Sequence, residues 1–446
     1  MKFVLALALM AGAAAAQPPA GYDAGMIVGP HVFHPAGQPT GVVFLISDAQ
    51  GWTADDTARA GALAGQGVAV VGLDLPGWLA ALERHPDDDD CSYAIADIEE
   101  LSKRLQAGGS GDYHLPLIAG RGDGGGLAVA LAAQTPASTL AGAVAVDPSA
   151  GIALRAPLCT EAPHHPAGGR EVYGLMPDGQ LNMPVSVVFT PAAPADAQAH
   201  VAELARDYPG VSVTQTEAAP ADALDTAVRD RLAARAEGPL NLPLTEMAVE
   251  KPALDTVAII WSGDGGWRDI DSQVGGALQA AGVPVVGVDA LRYFWNERKP
   301  QETAADLARI IHHYQGLWGV RHVLLIGYSF GADILPNSYN LLDAGDRASV
   351  AQMTLLGLSH QRDYVIHVSG WLGLSSGSAS DPTKDLEQVP ARIVQCIYGD
   401  GDDEDACHEL AGHGYEMIGL PGGHHFDGDY QGLTQHILTG LRARLN

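Results

Sequence analysis

Residues 323–331 read Val323-Leu324-Leu325-Ile326-Gly327-Tyr328-Ser329-Phe330-Gly331, and a helix-like stretch, Ala332 to Leu342, follows at once. An apolar run, a Gly-x-Ser-x-Gly turn and a helix, in that order, predict a strand that reverses sharply and lifts a serine above the end of a sheet. Glycines fit both flanks, because a side chain there would collide with the neighbouring strand or helix. Ser329 is the candidate nucleophile.

A hydroxyl is a weak nucleophile at neutral pH and needs a base, itself oriented by an acid. On a sheet of this kind the acid and then the base follow the serine along the chain. The run Ile393 to Tyr398 opens into Gly399-Asp400-Gly401-Asp402-Asp403-Glu404-Asp405. Asp402 is the first choice of acid, with Asp400, Asp403 and Asp405 as alternatives. The late loop Pro421-Gly422-Gly423-His424-His425-Phe426-Asp427 supplies the base. Glycine before it and an aromatic residue close behind favour His424, and His425 is the alternative base. His164-His165 and His312-His313 match no such loop and read as structural or surface pairs.

The oxyanion formed on attack needs backbone N–H donors. Phe330, next after the nucleophile, should give one, and Gly263 or Asp264 in Ser262-Gly263-Asp264-Gly265-Gly266-Trp267 the other. That glycine-rich loop lacks the lysine of a phosphate-binding loop, so no nucleotide cofactor is expected.

Outward from this site the chain repeats itself. Phe44 to Trp52 parallels Ile259 to Trp267 at an offset of 267 − 52 = 215, and Val70 to Asp74 parallels Val285 to Asp289 at the same offset. Leu117 to Gly124 parallels Leu324 to Gly331 at 331 − 124 = 207. Matches in the same order with a drifting offset describe duplicated domains with altered loops. Gly122 stands in the first copy where Ser329 stands in the second, so the first copy is expected to be catalytically degenerate.

Short β-branched runs alternate with helical stretches in both halves, which predicts mainly parallel sheets covered on two faces. In the second half the expected strands are Thr256 to Trp261, Val283 to Val288, His322 to Ile326, Tyr364 to Val368, Arg392 to Ile397 and Glu416 to Gly419. The fold class is α/β, with two tandem domains at 17–236 and 253–446. The Pro-bearing stretch 237–252 is expected to be a linker.

Lys2, the apolar run Phe3 to Met10 and Ala14-Ala15-Ala16 read as a cleavable export signal over residues 1–16. Two cysteines fall in each half, Cys91 with Cys159 and Cys396 with Cys407, which fits one disulfide per domain in an oxidising compartment. With 25 Lys+Arg against 53 Asp+Glu, the net charge of −28 disfavours nucleic acid and anionic head groups as partners and favours cationic ones.

Taken together, Ser262 to Arg268, Val288 to Trp295, Leu325 to Asp333 and Gly422 to Phe426 resemble the VirJ/AcvB family of bacterial virulence-associated periplasmic proteins. The resemblance covers the second half almost throughout and the first only loosely. It implies an α/β-hydrolase fold and, for AcvB-like members, hydrolysis of lysyl-phosphatidylglycerol, an aminoacylated phospholipid, at the periplasmic face of the inner membrane. VirJ-like members are also linked to type IV secretion, which makes secretion substrates a second class of partner. Asp264 and Asp333 are candidate partners for a lysyl group, and Tyr293-Phe294-Trp295 and Trp371-Leu372 are candidate membrane-touching loops. The competing functions are an esterase for another soluble acyl ester and a periplasmic binding or chaperone factor.

Overall fold

The computed structural model describes residues 25–27, 29–84, 91–107, 111–176, 181–234, 239–366 and 380–445. The expected export signal at 1–16 and the Trp371-Leu372 loop lie outside the described residues. The chain splits into two compact units that part between Arg235 and Ala236.

In the first unit the strands are β1 (His31–Phe33), β2 (Gly41–Ile46), β3 (Val68–Leu73), β4 (Leu117–Arg121), β5 (Gly142–Val146), β6 (His164–Ala167), β7 (Arg170–Tyr173), β8 (Val185–Phe189) and β9 (Val211–Gln215). Seven of them form one sheet in the order β1-β3-β2-β4-β5-β8-β9, with β6 and β7 a separate hairpin. Only β1 runs antiparallel in that sheet. Every residue of β2 is buried, and the two faces feed different cores. Val42, Phe44 and Ile46 pack with Ile95, Ile98 and Leu101 of the helix Ala94–Gln106, whereas Val43 and Leu45 pack with helices Ala54–Gly65 and Pro220–Ala233. A strand covered on both faces has no use for polar alternation, which is why these segments read as continuous apolar runs.

The second unit repeats the plan with β10 (Leu244–Met247), β11 (Thr256–Trp261), β12 (Val285–Val288), β13 (His322–Tyr328), β14 (Val350–Leu356), β15 (Val394–Gly399) and β16 (Glu416–Leu420). Their order is β10-β12-β11-β13-β14-β15-β16, again with only the first edge strand antiparallel. Both units are thus α/β-hydrolase-like, with mainly parallel sheets. The repeat extends to single bonds. Ser47 donates its N–H to Leu73 O and accepts from the Leu75 N–H at 2.9 Å, while Ser262 donates to Val288 O and accepts from the Ala290 N–H at 2.9 Å. Trp52 lies against Gly72 and Trp267 against Gly287, each so closely that a Cβ on the glycine would overlap the indole.

Three expectations need correction. The stretch 237–252 is not linker throughout, because Leu244–Met247 forms β10 and pairs with β12. The fourth parallel strand of the second sheet is Val350–Leu356, while Tyr364, Val365 and Ile366 lie outside any strand, and 367 and 368 fall beyond the described residues. Tyr293, Phe294 and Trp295 are buried, with Phe294 between Trp261 and Phe330, so they serve the core and present no membrane-facing loop.

Candidate active site

β13 ends at Tyr328, and Ser329 takes φ 50° and ψ −119°, a left-handed backbone that serine adopts only under constraint. The constraint is close packing on either side. A Cβ on Gly331 would lie 2.2 Å from Trp261 O, and one on Gly327 would lie 2.4 Å from Gly331 O. The Ser329 N–H is fixed on Leu356 O at 2.8 Å. Helix Phe330–Leu341 starts directly after the serine, so its first N–H groups, Phe330's among them, have no acceptor within the helix and point toward the turn. The positive end of the helix faces the same point.

Asp402 lies just beyond β15, and its Oδ2 is 2.7 Å from His424 Nδ1. That bond commits Nδ1 and leaves Nε2 as the nitrogen for proton transfer. The imidazole rests on the end of β14, where Gly357 has φ 64° and a Cβ would lie 2.7 Å from His424 Cε1. Glycine there makes room for the imidazole. Nothing in the sequence reading singled it out, although a glycine directly after an apolar strand is a readable signal. His425 is held otherwise, its Nδ1 3.3 Å from Tyr328 Oη. Of the alternative acids, Asp405 caps a short helical turn by accepting from the Cys407 N–H at 2.8 Å. Burial pushes its carboxyl up to about 6, against the pull of that N–H and with a further push from the Asp402 charge. The acid loop is stapled by the Cys396–Cys407 disulfide, and Cys91–Cys159 closes the first unit's pair, as expected.

Ser329, His424 and His425 line one cavity of about 240 Å³ together with Gly263, Asp264, Arg268, Asp269, Asp271 and Tyr328. Among the described residues no hydrogen bond joins Ser329 Oγ to either imidazole. Both proposed second donors to an oxyanion, Gly263 and Asp264, line the cavity. Asp271 is buried in the first turn of helix Ile270–Ala280, and desolvation holds its carboxyl well above the usual range. Asp333, expected beside a lysyl group, does not line the cavity. Its two oxygens take the Ser359 N–H at 2.8 Å and the Ser359 hydroxyl at 2.9 Å, and burial pushes it up to about 8. It braces the loop after β14 instead. Asp264 does line the cavity.

Residues 255–445 match the family model described as bacterial virulence protein (VirJ). No curated protein matches the chain. Among solved structures, a putative dienelactone hydrolase from Klebsiella pneumoniae is 16% identical with a TM-score of 0.34, over 46% of this chain and 92% of that one. Est1E from Butyrivibrio proteoclasticus with bound ferulic acid is 14% identical with a TM-score of 0.32, over 45% and 95%. A thioesterase domain from the curacin biosynthetic pathway is 17% identical with a TM-score of 0.31, over 44% and 94%. The fold class rests on the strand order and the turn at Ser329.

Proposed function

We propose, from the match of residues 255–445 to the VirJ family model, that the second unit is a serine hydrolase that cleaves the aminoacyl ester of lysyl-phosphatidylglycerol. One observation carries the reading: the 2.7 Å His424–Asp402 bond lies over the cavity that the strained Ser329 turn also enters. His424 Nε2 takes the Ser329 proton as Oγ attacks the ester carbonyl, and Asp402 holds the imidazole in the required tautomer. The gap between hydroxyl and imidazole closes as substrate seats, since such bonds often tighten only in the complex. The N–H groups of Phe330 and Asp264 receive the oxyanion. His424 then returns the proton to the departing glycerol oxygen, and water, activated by the same imidazole, releases lysine from the acyl-enzyme.

The cavity is lined by Asp264 and Asp269 beside Arg268, and two carboxylates against one guanidinium favour a cationic acyl group. Two disulfides and the signal-like start favour a periplasmic protein that meets its lipid at the inner membrane.

The test adds purified protein to vesicles containing lysyl-phosphatidylglycerol and measures free lysine. Wild type is expected to release it, and Ser329→Ala to be slower by a thousandfold or more, on the order seen when a triad member is removed. Release of lysine at an unchanged rate by Ser329→Ala would sink the mechanism. Cleavage of other esters without lysine release would reject the substrate alone. A Ser329→Ala protein that keeps its cellular phenotype would favour the binding or chaperone role.

A further inference from the structure

The sheet registers fix which residues of the two units correspond. Ile46 pairs with Gly120 across β2 and β4, and Trp261 with Gly327 across β11 and β13. Two residues on from Ile46 and Trp261, Asp48 therefore matches Gly263, and Ala49 matches Asp264. By the same count Gly122 matches Ser329 and Asp123 matches Phe330. Across the next strand, Arg121 pairs with Val146 and Tyr328 with Leu356, so Asp147 matches Gly357.

The first unit keeps the turn itself: Gly122 has φ 53°, against 50° at Ser329. What differs is the space around it. Asp48 Oδ1 accepts the Ala49 N–H at 2.7 Å and the Asp123 N–H at 3.0 Å, the two donors that match Asp264 and Phe330. A Cβ on Gly122 would lie 2.4 Å from Asp48 Oδ1 and 2.7 Å from its Cγ. The carboxylate therefore stands where a serine side chain would stand, on the donors an oxyanion would use. The seat of the base is also taken. Asp147, with φ 44°, sends its carboxylate to the Thr190 N–H at 2.7 Å and the Thr190 hydroxyl at 2.5 Å, whereas Gly357 leaves its place to the His424 ring.

We infer that Gly263 is a determinant of catalysis: the missing side chain there keeps the anion hole of the second unit open, whereas in the first unit the Asp48 carboxylate permanently occupies the matching hole. The claim for Gly263 rests on the hydrolase reading, and the claim for Asp48 does not. A carboxylate oxygen carries the negative charge that an oxyanion develops, so two N–H groups that converge on one will hold the other. An aspartate at 263 would reach the donors beside Ser329 as Asp48 reaches its own.

Two full-length variants test the pair of claims. Gly263→Asp is expected to lose about 100-fold or more in kcat, the order of an oxyanion-hole defect. Its Ser329 should also stop reacting with a fluorophosphonate probe, while its melting temperature stays near wild type. Asp48→Ala is expected to melt below wild type and to recover at least half of that loss in sodium formate, but not in sodium chloride of equal ionic strength. Wild type should show no formate response. A Gly263→Asp enzyme within threefold of wild type, or an Asp48→Ala protein indifferent to formate, would overturn the inference. If Asp48→Ala does not fold, Asp48→Asn decides: its amide oxygen can accept both N–H groups, so it should fold and melt within a few degrees of wild type, and failure to do so also overturns the claim. A wild type that hydrolyses no ester would sink the functional reading while leaving the formate result to stand or fall by itself.

Discussion

At the scale of single residues, the two adjacent histidines separate by what holds them. His424 has Asp402 on Nδ1 and Gly357 beneath its ring, while His425 has the Tyr328 hydroxyl 3.3 Å from its Nδ1. His424→Ala is therefore expected to cut kcat at least about a thousandfold and His425→Ala less than about tenfold. Gly357→Ala joins two penalties: a left-handed φ that costs a side-chain-bearing residue roughly 1–2 kcal/mol, and a methyl group in the space of the imidazole. It should lower kcat by about 10- to 100-fold with little change in KM, because a displaced base slows proton transfer without touching substrate affinity. Steady-state kinetics on a soluble ester check all three, and equal losses for His424→Ala and His425→Ala would refute the assignment. The placement of Ser329, Asp402 and His424 at strand ends was legible because each follows an apolar strand in a recognisable loop. Gly357 and Asp48 were not, since their meaning lies in what a neighbouring strand's side chain does with the space.

At the scale of elements, the acid loop is held at both ends. Cys396 is in β15, Cys407 follows the loop, and the bridge encloses Asp402 within a separation of 11 residues. Closing a loop of that length is worth about 3 kcal/mol on the chain-entropy account. Replacing both cysteines with alanine should lower the urea midpoint accordingly and reduce kcat more than KM rises, because Asp402 loses its fixed approach to His424. An unchanged kcat would show that the bridge stabilises without positioning. The same region shows why one strand escaped the sequence reading. Val350–Leu356 contains Gln352 and Thr354, both fully buried, and their polar groups are satisfied by the neighbouring strand and by Ile437 and Arg444 of helix Tyr430–Leu445. Gln352 Nε2 donates to Gln395 Oε1 at 3.0 Å and to Thr354 Oγ1 at 2.8 Å. A polar pair hidden in the core breaks the apolar run that marks a strand, whereas Tyr364 to Val368 carries such a run although its described residues, 364 to 366, lie outside any strand.

At the scale of the whole molecule, the tandem plan was visible in the chain because matched strands carry matched apolar runs, and even the bonds of Ser47 and Ser262 repeat. The acidity of the protein was equally plain. How the first unit's site was filled was not, because a sequence offset aligns Asp48 with Gly263 without revealing where the carboxylate goes. The shared turn has a further consequence for durability. Glycine enters a φ near 50° freely, while a residue with a Cβ is strained there by about 1–3 kcal/mol, so the second unit carries a burden at Ser329 that the first, with Gly122, does not. Ser329→Gly should accordingly melt above Ser329→Ala, both being inactive, and the reverse order in a calorimetric scan would contradict this. On the proposed mechanism, catalysis and heat resistance pull this position in opposite directions, so selection for ruggedness alone would erode the activity before the fold.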